Sequence, residues 1–246
     1  MNVAKPFLIL QLRPEDDTSN NEFEAILKYG GLDASETRRV RIEKSGIPGL
    51  SLDDYAGVIV GGSPFDISTP QDQKSEIQLR IEADFRELFD DIVDGDFPFL
   101  GACSGCGLLG SYLDTPISRK YAEPVGGARV RLTDAGRQDP LLADFPEQID
   151  VLCGHKEACD AVPAGAQLLL TGDACPVQMF RVGENVYATQ FHPEGDGEGF
   201  TVRIHAYKHH GYFPPEEADE LIVAVNRHDT PYAREILRRF VERYRH

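Results

Sequence analysis

The apolar positions of this chain change rhythm twice along its length. Phe7-Leu8-Ile9-Leu10-Gln11-Leu12 is a near-continuous apolar run of strand length. Ser19 and Glu22 have the spacing of a capping box ahead of Phe23, Ile26 and Leu27, which predicts a first helix starting there. Val40-Arg41-Ile42 alternates as a second strand, and Tyr55 to Val60 reads as a third, buried one ending at Gly61-Gly62. From Gln73 to Val93, Ile77, Ile81, Phe85, Leu88, Phe89 and Ile92 recur at three- and four-residue steps, the period of an amphipathic helix. A fourth apolar run, Phe97 to Leu100, leads into a small, glycine-rich segment that predicts a helix through Leu109. Strands alternating with helices imply a mostly parallel sheet covered on both faces.

The middle of the chain follows a shorter beat. Ala128 to Leu132, Ile149 to Leu152, Gln167 to Leu170, Val177 to Phe180 and Val186 to Phe191 read as short strands between Gly/Pro turns, with residues 181–185 as a hairpin loop. Antiparallel pairing is expected there. Helical spacing returns near Ala218 to Asn226 and Tyr232 to Tyr244, where Ile236, Leu237, Phe240 and Val241 form one stripe. The whole predicts an α/β three-layer sandwich with a mostly parallel central sheet and a smaller antiparallel strand region. No linker divides residues 1–246, so a single domain is expected.

Two short motifs carry chemistry. In Gly101-Ala102-Cys103-Ser104-Gly105, glycines flank a cysteine between a strand and a helix. Such glycines allow a cramped strand-to-helix reversal that exposes the apex residue at the carboxyl edge of the sheet. A helix N-terminus favours an anion, so the expectation is a cysteine biased toward thiolate. Far downstream, His192-Pro193-Glu194 follows a strand, and proline fixes the backbone between the two polar residues. An imidazole there can face the thiol while the carboxylate holds its other nitrogen.

Together these segments resemble class I glutamine amidotransferases. Gly61-Gly62-Ser63-Pro64, Pro98 to Gly105, Val151 to Glu157 with Val162 to Gly165, Cys175 to Gln178 and Gln190 to Glu194 carry the likeness, in order, over roughly residues 55 to 195. The resemblance implies a catalytic triad of Cys103, His192 and Glu194 that releases ammonia from a glutamine amide through a thioester. It also implies an oxyanion hole from the backbone amides of Ser104 and Ser63, with Gly62 as fallback. The family's usual Cys-x-Gly-x-Gln glutamine is replaced here by Gly107, next to Cys106. Since that glutamine helps hold the substrate's glutamyl end, a related gamma-glutamyl compound enters beside glutamine as substrate. Gly62, Gly107 and His155 are the candidate substrate-binding positions, His155 standing evenly between a substrate wall and a strand-end structural role. Residues 198–246 exceed what the family core requires, which leaves a helical C-terminal extension to pack on the sheet, cover the site or form a homodimer contact.

Composition narrows the alternatives. A formal charge of −16 argues against nucleic acid and anionic membrane surfaces as main partners. No apolar run approaches a membrane span, and the first six residues lack a secretory core. Five cysteines in 246 residues do not make a disulfide framework, so the cytoplasm is the expected compartment. Cys103 and Cys106 form a C-x-x-C, and a non-catalytic or redox-sensing relative using that pair is the competing reading. Zinc held by Cys103, Cys106, Cys153 and His155 is disfavoured, because Cys153-Gly154-His155 lacks the usual ligand spacing. The triad chemistry requires no metal or organic cofactor. The expected partners are a small-molecule substrate and, unless hydrolysis is itself the purpose, a separate synthase subunit to take the ammonia.

Overall fold

The computed structural model of the protein describes residues 5–245, so Met1 to Ala4 of the chain start lie outside the described residues. In chain order the elements are β1 (Phe7–Gln11), α1 (Asp16–Gly30), β2 (Thr37–Arg41), α2 (Ile42–Ser45), β3 (Gly57–Val60), α3 (Glu76–Asp94), β4 (Phe99–Ala102) and α4 (Ser104–Tyr112). There follow β5 (Ile117–Ser118), β6 (Glu123–Leu132), α5 (Asp134–Gln138), β7 (Gln148–His155), β8 (Ala158–Cys159), β9 (Gln167–Gly172), β10 (Met179–Val182) and β11 (Val186–Thr189). The chain closes with α6 (Gly197–Tyr207), α7 (Ala218–Val225) and α8 (Pro231–Tyr244).

Nine strands form one sheet in the order β2-β1-β3-β4-β11-β10-β9-β6-β7, with β5 and β8 paired separately. From β2 to β11 the neighbours run parallel; from β11 onward they run antiparallel. The antiparallel strands therefore continue the central sheet. The fold class is mixed α/β with helices on both faces, as the alternation predicts.

Strand alternation divides the core. Phe7 and Ile9 of β1 turn to the face covered by α1 and α8, while Leu8 and Leu10 turn to the face covered by α3 and α4. On α8, Ile236, Leu237, Phe240 and Val241 are fully buried, and Phe240 meets Phe7 and Tyr187 at ring separations of 6.3 and 6.4 Å. Each such side chain contributes about 1.5–3 kcal/mol by leaving water. The last helix thus packs on the sheet. On α3 the stripe from Ile81 to Ile92 is buried, but Ile77 is exposed.

The predicted capping box at Ser19 and Glu22 is not present. α1 begins earlier, with Asp16 and Asp17 in its first turn, where carboxylates suit the positive end of the helix. Ser19 and Glu22 lie inside it, fully buried, and face Gln11 and Arg13 at the end of β1. The second strand also shifts: Ile42 leaves it to open the short α2. Among the described residues, no helix is long and apolar enough to cross a membrane.

Candidate active site

Strand order explains how residues distant in sequence meet. β4 and β11 are parallel neighbours, with Ala102 opposite Thr189, so the chain leaves both strands at one edge. The Cys103 amide donates to the Thr189 carbonyl at 2.8 Å, which ties the two exits together. The His192 amide donates to the Leu152 carbonyl of β7 at 3.1 Å, folding the 190–194 segment back over the sheet edge.

Cys103 sits at the apex of the turn with φ 52° and ψ −97°, a positive-φ conformation that a side chain rarely adopts. The surrounding structure enforces it. A Cβ at Gly101 would come within 2.8 Å of the Gly105 backbone, so α4 can reverse onto β4 only with glycine there.

Cys103 and His192 line one cavity, together with Arg13, Arg203 and several aromatic side chains. His192 Nδ1 lies 2.8 Å from Glu194 Oε1, both side chains are almost wholly buried, and Arg203 Nη2 donates to the same Glu194 oxygen at 2.8 Å. Burial opposes ionisation of Glu194, but His192 and Arg203 outweigh it and hold the carboxyl well below its usual range. Burial also lowers the His192 pKa, opposed by Glu194 and reinforced by Arg203 and Arg13.

The thiol departs from expectation. Burial pushes Cys103 up to about 11, only partly offset by Arg13. A helix N-terminus is present, yet desolvation outweighs it and raises the thiol pKa. Cys106 is fully buried and shares one apolar core cluster with Cys159.

The turn amides have partners of their own. The Ser63 N–H donates to Ser104 Oγ at 2.8 Å, and the Gly62 N–H donates to Glu22 Oε2 at 3.1 Å. Ser104 opens α4, and the first N–H groups of a helix have no acceptor within it.

A second cavity shares Cys103, Ser63 and Tyr212 with the first and extends past Gly107, His155 and Gln190. His155 stands on its wall, and both ring nitrogens are engaged: Nδ1 with the Glu157 carbonyl and Nε2 with Glu123 Oε2, each at 3.0 Å. Gly107 lines this cavity, and a Cβ there would approach Ile67 Cδ1 to 2.8 Å.

Among the described residues, Glu123, Cys153 and His155 form a buried group whose ligand atoms could hold a metal ion. The Glu123 carboxylate already receives Gln178 Nε2 at 2.6 Å besides His155, so hydrogen bonds answer its charge.

The family model for glutamine amidotransferase class-I matches residues 24–229. The chain belongs to that family. Among curated relatives, a GMP synthase [glutamine-hydrolyzing] of Petrotoga mobilis is 25% identical over 156 residues, covering 63% of this chain and 28% of the relative. A putative glutamine amidotransferase-like protein of Salmonella typhimurium, YfeJ, is 26% identical, covering 58% of this chain and 59% of the relative. The chain thus spans less than two thirds of either relative's length. A crystal structure of a glutamine amidotransferase from Thermotoga maritima superposes with a TM-score of 0.69 at 22% identity, covering 96% of this chain and 98% of that one. That likeness establishes the shared fold.

For this amidotransferase-family chain, the sequence reading missed Arg13, Glu22, Arg203 and Tyr212. Arg13 carried a legible signal, a cation directly after an apolar strand whose carboxyl end faces the site. Arg203 lies on α6, a helix the periodicity did not delimit, and Tyr212 lies on the segment that follows it.

Proposed function

We propose that the protein is a cysteine-nucleophile hydrolase cleaving the side-chain amide of glutamine or a related gamma-glutamyl compound. The observation that carries this reading is the shared cavity of Cys103 and His192, with His192 Nδ1 held by a buried, Arg203-bound Glu194. With Nδ1 donating to Glu194, Nε2 is left as the base. As Cys103 Sγ attacks the amide carbon, its proton passes to Nε2, and Glu194 stabilises the imidazolium that forms. A raised thiol pKa and a lowered imidazole pKa suit a route in which proton transfer accompanies attack.

The oxygen of the tetrahedral intermediate takes donors from the Ser104 amide and, once Ser104 Oγ rotates away, the Ser63 amide. One such donor contributes about 2.7–4 kcal/mol to the barrier. His192 then returns its proton to the departing nitrogen, ammonia or an amine leaves, and the thioester remains on Cys103. Water, deprotonated by His192, attacks the thioester and releases the acyl group as a carboxylate. The ammonia passes to a separate synthase subunit, a reading supported by the family, or hydrolysis is itself the purpose. Five free cysteines fit a reducing, cytoplasmic setting.

The test is a glutamine-mimicking diazoketone with mass analysis, run beside Cys103→Ala. Labelling confined to Cys103, slowed by glutamine or a gamma-glutamyl amide, is expected, with ammonia and amine release at background in the folded variant. Labelling no faster than at the four buried cysteines, or activity retained by Cys103→Ala, rejects the mechanism.

A further inference from the structure

The cavity beside His192 is furnished for more than ammonia. The geometry of acyl transfer assigns the two cavities different halves of a substrate. Around the attacked carbon, the oxygen points to the hole at Ser104 and the leaving nitrogen points to the group that protonates it, His192. The acyl chain takes the remaining direction, into the second cavity past Gly107 and Gln190. Whatever is attached to the leaving nitrogen therefore enters the cavity of Arg13 and Arg203.

Two guanidinium groups there hold donors in reserve. Arg13 is 4% exposed; its Nε donates to Glu22 Oε2 at 2.6 Å and its Nη1 to the Tyr207 hydroxyl at 3.2 Å. No acceptor among the described residues takes Nη2. That nitrogen lies 2.5 Å from where a Cβ on Gly62 would stand, and His192 Cε1 lies 2.8 Å from the same point. Arg13 Nη2 and the imidazole thus flank one face of the turn. Arg203 is 6% exposed; beyond its bond to Glu194, its Nε and Nη1 are buried without any hydrogen-bond partner. Unpaired guanidinium donors in a desolvated wall are costly, and a planar anion is the ligand that matches them. The remaining wall is apolar or aromatic, with Val125, Phe200, Ile204 and Phe213.

We infer that the substrate is a gamma-glutamyl amide whose leaving amine bears a carboxylate, as in a gamma-glutamyl amino acid, with Arg13 Nη2 as the carboxylate anchor and Arg203 as a further positive charge in the wall. This rests on the hydrolase reading above and specifies its substrate class. Cleavage follows the same balance: the amide C–N bond breaks, His192 protonates the nitrogen, and the amino acid leaves as its free amine.

Hydrolysis of gamma-glutamylglycine is compared with that of gamma-glutamylglycinamide, which differs only in lacking the terminal charge. Wild-type kcat/KM is expected to favour the free carboxylate by at least about tenfold. In R13M/E22Q, which removes both partners of a buried pair and so leaves no lone charge, the ratio is expected to fall within about twofold. A wild-type ratio near one, with both compounds cleaved, overturns the inference and leaves the hydrolase standing. An unchanged ratio in a folded R13M/E22Q variant overturns Arg13 as anchor; if that variant does not fold, the wild-type ratio decides. No cleavage of either compound or of glutamine, with Cys103 unlabelled, overturns both readings.

Discussion

The two cavities that meet at Cys103 treat charge in opposite ways. On the Gly107 side, His155 has both ring nitrogens engaged, and the Glu157 carboxylate is taken by the amides of Ile67 and Ser68 at 2.6 and 2.8 Å. On the His192 side, Glu22 and Glu194 are each met by an arginine, and guanidinium donors are left over. On the first wall the charged groups are answered within the fold, whereas the second keeps a guanidinium donor spare for a ligand. The difference teaches where to look for discrimination between substrates. Gly107, where the family usually has glutamine, lines its cavity with Ile67 packed against it. The unspent polarity lies with residues on α6 and at the end of β1.

The strongest way to break this comparison is to remove a charge from the His192 side. Arg203→Gln leaves Glu194 buried with its imidazole alone, and breaking a buried ion pair in this way costs about 3–5 kcal/mol. Denaturant unfolding checks that figure. The same variant tests electrostatics. His192 must be neutral to act as base, and burial sets its pKa below 6.5. The wild-type acid limb of kcat/KM therefore lies below pH 6.5. Arg203 helps depress that pKa, so its loss moves the limb to higher pH. An unmoved limb means the imidazole does not feel Arg203.

A substitution on the other side sharpens the contrast. Gly107→Gln restores the residue type usual in the family, but its Cβ meets Ile67 Cδ1. Overpacking of this kind costs about 1–3 kcal/mol, and KM for glutamine is expected not to improve. Adding Ile67→Ala relieves the contact, and a lower KM in the double variant alone identifies Ile67 as the group that closes the wall. The smallest effect belongs to the boundary between the cavities. Ser104→Ala removes the acceptor now holding the Ser63 amide, and kcat is expected to rise by less than about tenfold, because one donor no longer needs releasing. A fall in kcat shows instead that the hydroxyl itself serves the reaction.

Much of this was legible in the chain before any coordinates. The periods of 3.6 and 2 placed α3, α8, β1 and the strands of the middle region, since a helix or strand must turn one face or both to a core. Gly101-x-Cys103-x-Gly105 announced the reversal, because only glycine tolerates the approach of α4 to β4. His192 and Glu194 were legible because they lie two residues apart, within reach of one another without help from the rest of the fold. Other features depended on residues far apart in sequence. The state of the Cys103 thiol is decided by how deeply its neighbours bury it, a quantity no local motif contains. The Ser19 and Glu22 pair follows the capping rule locally, yet tertiary packing draws both into a buried contact with β1. Arg13 joining Glu22 and Tyr207, and Arg203 joining Glu194, are pairings across strand order and helix packing. Sequence determined which chemistry was on offer, because local geometry fixes nearest neighbours. Tertiary structure decided which charges were left unanswered, because desolvation and pairing are properties of the assembled core.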